Sequence, residues 1–98
     1  MVKKERIPLL PDTCFYHDEE KYVFEIELPG VTKENINLEV TERSLCLCAP
    51  RNEVEYNGCW FLVHEVKPEK AKAHFKNGLL TVEIPLAKPM RGVKVPIE

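Results

Sequence analysis

Cysteine and histidine are the residues of this 98-residue chain whose side chains could hold a metal or act as a nucleophile. There are four cysteines and three histidines: Cys14, Cys46, Cys48, Cys59, His17, His64 and His74. A tetrahedral zinc site needs four convergent ligands, and its cysteines usually come from Cys-x-x-Cys turns, whereas Cys46 and Cys48 have the spacing of one strand face. We therefore expect no metal site and interpret these cysteines as small apolar fillers.

A cysteine and a histidine could also form a nucleophile and base pair. The sequence provides these residue types but no nucleophile elbow, oxyanion loop or orienting carboxylate. It also lacks a glycine-rich phosphate loop. These observations predict a protein that is not an enzyme and that needs no cofactor.

Charge gives little reason to expect a nucleic-acid or membrane partner. The 14 basic and 16 acidic residues leave a formal net charge of -2 and are interspersed along the chain. The apolar stretch at 7–10 is too short and proline-containing for a signal peptide or a membrane span. We therefore expect a cytoplasmic protein with reduced cysteines, whose fold does not require disulfides.

The elements that must position these side chains are short strands. Turn signals recur about every ten residues, and the stretches between them alternate apolar and polar residues, which predicts a β-sandwich or barrel. Tyr22, Phe24, Ile26 and Leu28 share one face, Ile36, Leu38 and Val40 share another, and Leu45 and Leu47 continue the pattern. A single helical turn fits between 31 and 35.

Two later segments complete this pattern. The apolar run 59–66 follows Asn57-Gly58, read as a turn, and predicts a strand with a partly covered outer face. Asn77-Gly78 separates two alternating runs and predicts a hairpin from 71 to 84, because both residues accept the positive φ of a type I′ turn. Beyond Ile84, three prolines and a glycine predict an extended tail.

Two segments resemble the α-crystallin domain of the small heat-shock protein family. Tyr22 to Ile36 contains that family's Leu-Pro-Gly-Val corner at Leu28–Val31, and Ala73-His-Phe-Lys-Asn77-Gly78-Leu79-Leu80 is similar to its alanine, Asn-Gly and leucine signature. The resemblance covers residues 12 to 97. It implies an immunoglobulin-like β-sandwich of about seven to eight antiparallel strands without enzymatic activity. The expected organisation is a short N-terminal arm at 1–11, the sandwich at 12–86 and a C-terminal tail at 87–98.

Three features depart from the family pattern. Only Pro50 to Gly58 connects the Leu45 strand to the Trp60 strand, so the long insertion that carries an exchanged strand in many members is absent. Gly58 stands where the family usually has an arginine, which puts a dimer contact in doubt. The arm before residue 12 is short, so a large shell would need other contacts.

The resemblance also suggests where partners bind. Val95-Pro96-Ile97 is similar to the family's tail motif, in which two β-branched residues on one side of an extended segment dock on a neighbouring subunit. The expected groove lies between Ile36, Leu38 and Val40 on one strand and Ala71 and Ala73 on the other. For the tail, the alternatives are a frayed end or a last strand on the chain's own sheet. For the alanines, the alternative is that they simply fill a tight core.

These observations favour an ATP-independent chaperone, a holdase that binds partly unfolded client proteins and forms homo-oligomers through its tail. The alternative is an adaptor similar to the CS-domain co-chaperones, which would bind a folded partner as a monomer. The short connection and the absent arginine favour the adaptor, whereas the signature and the tail motif favour the holdase.

Overall fold

The computed structural model describes residues 5–89 and 92–98, so the first four residues of the expected arm and residues 90 and 91 of the expected tail lie outside the described residues. The described chain forms eight strands and two 3₁₀ turns. The strands are β1 (Ile7–Leu9), β2 (Thr13–His17), β3 (Lys21–Glu27), β4 (Asn37–Thr41), β5 (Ser44–Arg51), β6 (Val54–Phe61), β7 (Lys72–Lys76) and β8 (Leu79–Pro85); the 3₁₀ turns are Lys33–Asn35 and Pro68–Lys70.

The strands form two four-stranded sheets, in the orders β1-β6-β5-β4 and β2-β3-β8-β7. Neighbouring strands are antiparallel, except that β1 pairs with β6 in parallel. This arrangement confirms the predicted all-β sandwich and its strand number. It also places a strand, β1, in the segment that the sequence indicated only as an arm.

The core lies between the inward faces of the two sheets. Its members alternate along the strands as the sequence predicted, and burying each large apolar side chain contributes about 1.5–3 kcal/mol. The largest core side chains with almost no exposure are Phe24, Ile26, Leu28, Leu45, Val66, Val82, Ile84 and Leu86. The amphipathic pattern of single strands was therefore enough to identify most of the core.

The β7–β8 hairpin confirms the predicted turn at Asn77-Gly78. Both residues have positive φ, 51° and 79°. The carbonyl of Gly78 accepts a hydrogen bond of 2.7 Å from the backbone N–H of Leu28. The two segments that carry the family resemblance therefore meet at one end of the sandwich.

The prediction for the β5–β6 region was wrong. The strand runs over Val54–Phe61 rather than 59–66, and Asn57-Gly58 lies inside it. The turn is at Asn52-Glu53, where Asn52 has φ of 50°. Gly58 leaves space for the Trp60 ring, because a Cβ atom at this position would lie 2.5 Å from the ring.

The expectation that all cysteines are reduced was also wrong. Cys46 and Cys59 face each other in the β5–β6 pair, with Cα atoms 4.1 Å apart, and form a disulfide. Cys14 and Cys48 are free thiols. The pair was missed because the misplaced turn assigned Cys59 to a different register.

Candidate functional site

The outermost strand β4 has an incompletely covered inner face. Ile36, just before the strand, and Leu38 and Val40 within it pack against the core but are only half-buried. Leu45 and Leu47 on the adjacent strand β5 face the same way and are buried. The difference arises because β5 has a neighbouring strand on both sides, whereas β4 is paired only with β5 in the described chain.

Strand β7 lies on the same side of the sandwich as β4. Residues 10–12 alone separate β1 from β2, so those two edge strands share one side. The Trp60 ring of β6 contacts the Phe24 ring of β3, with centroids 6.0 Å apart, which places the second strands of the two sheets over each other. Strands β4 and β7 therefore share the opposite side.

The inward face of β7 combines small residues near the start of the strand with Phe75 near its end. Ala71, just before the strand, is half-buried and packs against the core, whereas Ala73 is exposed. Phe75, two residues further, again packs against the core. The structure therefore brings the five residues of the expected groove, which we call the edge groove, to one side of the molecule: Ile36, Leu38, Val40, Ala71 and Ala73. Whether a partner binds there stays a prediction.

The tail motif carries exposed apolar side chains. Residues 92–98 have no regular secondary structure, and Val95 and Ile97 are 75% and 97% exposed. Neither side chain is part of the hydrophobic core. The motif residues are accessible, and their docking on another subunit stays a prediction.

Residue 58 cannot carry the family arginine without rearrangement. The missing side chain leaves room for the Trp60 ring, which packs against Phe24. The tight turn at Asn52-Glu53 also leaves no room for an exchanged strand between β5 and β6. Both sequence departures therefore have a structural counterpart in strand β6.

The cysteine and histidine candidates are distributed over both sheets. Within the described residues there is no group of three or more histidine, cysteine, aspartate or glutamate side chains that could hold a metal. The rings of His17 and His64 lie 4.8 Å apart, while Cys46 and Cys59 are bonded to each other in the other sheet. The absence of a metal site and of catalysis stays a prediction.

Two ionisable groups with shifted pKa values, Asp18 and Lys21, lie at the β2–β3 turn. Hydrogen bonding to Glu83, at 2.8 Å, and its charge raise the pKa of Lys21. Backbone N–H groups of Glu20 and Lys21 donate to the Asp18 carboxylate and lower its pKa. These contacts brace the β2–β3 turn and the neighbouring strand β8.

No helix within residues 5–89 and 92–98 has the length and apolar character needed to cross a bilayer. The cytoplasmic location stays a prediction.

Comparison with known proteins identifies the family. The model of the Hsp20/alpha crystallin family matches residues 15–98, which include the whole edge groove and the tail motif. The chain belongs to the Hsp20/alpha crystallin family.

Relatives of this Hsp20/alpha crystallin protein carry heat-shock names. Small heat shock protein C4 of Rickettsia felis is 29% identical over an alignment of 105 residues, and the alignment covers 91% of this chain and 64% of that protein. A probable 15 kDa heat shock protein of Leptospira interrogans is 26% identical over 103 residues, covering 90% and 79%. The 16.9 kDa class I heat shock protein 1 of Triticum aestivum is 30% identical over 86 residues, covering 70% and 57%. This chain thus spans less than two thirds of the Rickettsia and wheat proteins.

Solved structures share the fold of this Hsp20/alpha crystallin protein. Heat shock protein 16.0 from Schizosaccharomyces pombe superimposes with a TM-score of 0.77 at 20% identity, covering 92% of this chain and 99% of that one. A small heat-shock protein from Xylella fastidiosa gives 0.71 at 13% identity, covering 92% and 97%. A nuclear movement protein from E. cuniculi gives 0.59 at 10% identity, covering 87% and 98%. The sandwich is therefore also found in a protein without a heat-shock name.

Proposed function

We propose that this protein is an ATP-independent holdase, which binds partly unfolded proteins at apolar edges and slows their aggregation. The observation that carries the proposal is the half-buried inner face of β4 in a member of the Hsp20/alpha crystallin family. Half-buried apolar side chains at a sheet edge lose their remaining contact with water when an extended client segment covers them.

The backbone of β4 supports the same proposal. Within the described residues its outer edge has no strand partner, so its N–H and C=O groups can pair with an added strand. Strand addition supplies affinity through the main chain, and pockets for alternate side chains supply selectivity. Binding of this kind depends on extended apolar segments rather than on one sequence, which suits a range of unfolded clients.

Assembly is proposed to use the same edge groove. Val95 and Ile97 lie at positions i and i+2 of an extended segment, so their side chains point to one side, and Pro96 restricts the backbone between them. Docking of this tail on a second copy would bury two exposed β-branched side chains. We therefore propose a homo-oligomer in which tails and clients compete for the edge groove.

The test is suppression of light scattering from a heat-aggregating enzyme. We expect suppression at substoichiometric protein and no change on adding ATP, because the proposed mechanism uses only exposed apolar surface. Aggregation that proceeds unaltered at a several-fold molar excess would contradict the holdase proposal.

A pair of variants on β7 locates the binding surface. Ala73→Glu places a charge in the edge groove at an exposed position, whereas His74→Glu adds the same charge on the opposite, exposed face of the strand. We expect the Ala73→Glu variant to lose most of its suppression of aggregation and the His74→Glu variant to retain it. Circular dichroism should show that both variants are folded. Equal activity of the two variants would place client binding elsewhere.

The adaptor is the second candidate, favoured by the short connection between β5 and β6 and by Gly58, which stands where the family usually has an arginine. It predicts a monomer that leaves aggregation unchanged and binds a folded partner. Size-exclusion chromatography with light scattering separates the two proposals, since the holdase is expected to assemble.

A further inference from the structure

The disulfide between Cys46 and Cys59 lies on the outer face of its sheet. Its two cysteines are directly opposite each other in the β5–β6 pair. Their chain neighbours Leu45, Leu47 and Trp60 point to the other face, where they pack in or against the core. The sulfur atoms are therefore outside the hydrophobic core, and a change in their oxidation state removes no core contact.

Solvent reaches the two cysteine residues unequally. Cys59 is exposed, whereas Cys46 is half-buried. Strand β1 pairs with β6 only over Val54–Tyr56, so within the described residues the edge of β6 beside Cys59 has no strand partner. A small reagent can therefore approach Cys59 from the open edge.

A third cysteine on the same face behaves differently. Cys48 is half-buried, and its thiol donates a hydrogen bond of 3.4 Å to the Glu55 carboxylate, which also accepts from the Asn57 side chain at 3.0 Å. Burial raises the pKa of the Cys48 thiol, and the hydrogen bond to Glu55 raises it further. Because the thiolate is the nucleophile in disulfide exchange, Cys48 is held in its unreactive form beside the disulfide.

We propose that Cys46 and Cys59 form a reversible redox site, which exchanges with low-molecular-weight thiols through Cys59 while the sandwich stays folded. The proposal concerns a site separate from the edge groove and does not rest on the holdase function. Exposed disulfides are the ones that thiols reduce most readily, whereas buried structural disulfides resist reduction.

The exchange proceeds in two balanced steps. The thiolate of a small thiol attacks Cys59 Sγ, the bond between the two cysteines breaks, and Cys46 leaves as a thiolate that takes up a proton. A second thiolate then attacks the small-molecule sulfur of the mixed disulfide, so that Cys59 leaves and is protonated. The protein gains two electrons and two protons, and the small thiols are oxidised to their disulfide.

The pairing of strands β5 and β6 does not depend on the disulfide alone. Strands β5 and β6 pair from Ser44↔Phe61 to Arg51↔Val54, on both sides of the Cys46–Cys59 pair. The backbone ladder and the core contacts of the inner face remain when the disulfide opens. The oxidised and reduced proteins should therefore have the same fold.

The test is equilibration of the full chain in buffers of varied reduced to oxidised glutathione ratio, followed by differential alkylation and mass spectrometry. We expect the Cys46 and Cys59 thiols to appear and disappear together and reversibly as the ratio changes, without denaturant and with an unchanged circular dichroism spectrum. Cys48 should remain a thiol throughout.

Three results would overturn the proposal: reduction that requires denaturant, free Cys46 and Cys59 thiols at every glutathione ratio, or loss of the β-sheet spectrum on reduction.

A pair of variants tests the point of attack, both made with Cys14→Ser to remove the other exposed thiol. Each variant keeps one of the two cysteines, and oxidised glutathione can form a mixed disulfide with it. The Cys46→Ser variant, which keeps Cys59, should react about tenfold faster than the Cys59→Ser variant, which keeps Cys46, since exchange rates follow access. Equal rates would exclude Cys59 as the preferred sulfur.

Discussion

Removal of the tail's two apolar side chains is the sharpest test of the assembly proposal. In the double variant Val95→Ala with Ile97→Ala, five side-chain carbons are lost from positions that are 75% and 97% exposed in the single chain. At about 0.8 kcal/mol for each buried CH₂, full burial in the edge groove would make the change worth about 4 kcal/mol per docked tail. A shallow groove that buries half of this surface would give about 2 kcal/mol.

These energies translate into a measurable shift in assembly. Since about 1.4 kcal/mol corresponds to a tenfold change in affinity, the protein concentration at half-assembly should rise roughly 30-fold to 1,000-fold. Size-exclusion chromatography with light scattering over a wide concentration range measures this shift. The thermal unfolding midpoint should change little, because the substituted side chains are outside the core.

Val93→Ala provides the matched control, since Val93 is also β-branched, lies in the same tail and is 86% exposed. We expect it to assemble like the unmodified protein, because it is outside the proposed motif. An identical mass for the double variant and the unmodified protein at every concentration would refute docking in trans. A large loss of thermal stability at unchanged mass would instead place the tail on its own domain.

Three further predictions concern the sandwich itself. Gly78→Val should lower the free energy of unfolding by about 1–3 kcal/mol in a denaturant titration, because a β-branched residue is strained at φ of 79°. Gly92→Val is the control and should be close to neutral, because no heavy atom lies within 4 Å of a Cβ added there. Gly58→Ala should displace the ring of Trp60, the protein's single tryptophan, and so shift its fluorescence to longer wavelength. The same change should cost about 1–3 kcal/mol of stability. An unchanged spectrum would contradict the close contact. Asp18→Ala should destabilise the protein at neutral pH, because a carboxyl group with a lowered pKa stabilises the fold while it is ionised. The difference in unfolding free energy between the variant and the unmodified protein should shrink as the pH falls below 3.8. A pH-independent difference would show that the charge is not responsible.

The strand faces and one hairpin could be predicted from the sequence because their causes are local. Alternation along a strand decides which side chains can share a face, and Tyr22, Phe24, Ile26 and Leu28 are buried as their pattern indicated. Asn77-Gly78 has both the residue types and the flanking alternation of a tight turn, so its position followed from the sequence.

The β5–β6 hairpin could not be placed in the same way, because two asparagine sites competed for one turn. Asn52 adopts positive φ with Glu53 after it, while Asn57-Gly58, the stronger local signal, lies within a strand. The pairing of β5 with β6 over their full length, and the space that Gly58 leaves for Trp60, favour the first site. With the turn at Asn52-Glu53, Cys46 and Cys59 are equally distant from it and must face each other.

The sequence by itself determined the fold class, the apolar face of each strand, the chemistry of the tail motif and the family resemblance. Tertiary structure alone decided which strands are outermost, and therefore that Leu38 and Val40 stay half-buried while Leu45 and Leu47 are buried. It also decided the cysteine pairing, because strand register depends on contacts between residues far apart in the chain. A period-two pattern specifies a face, but only the neighbours of a strand specify how much of that face solvent can reach.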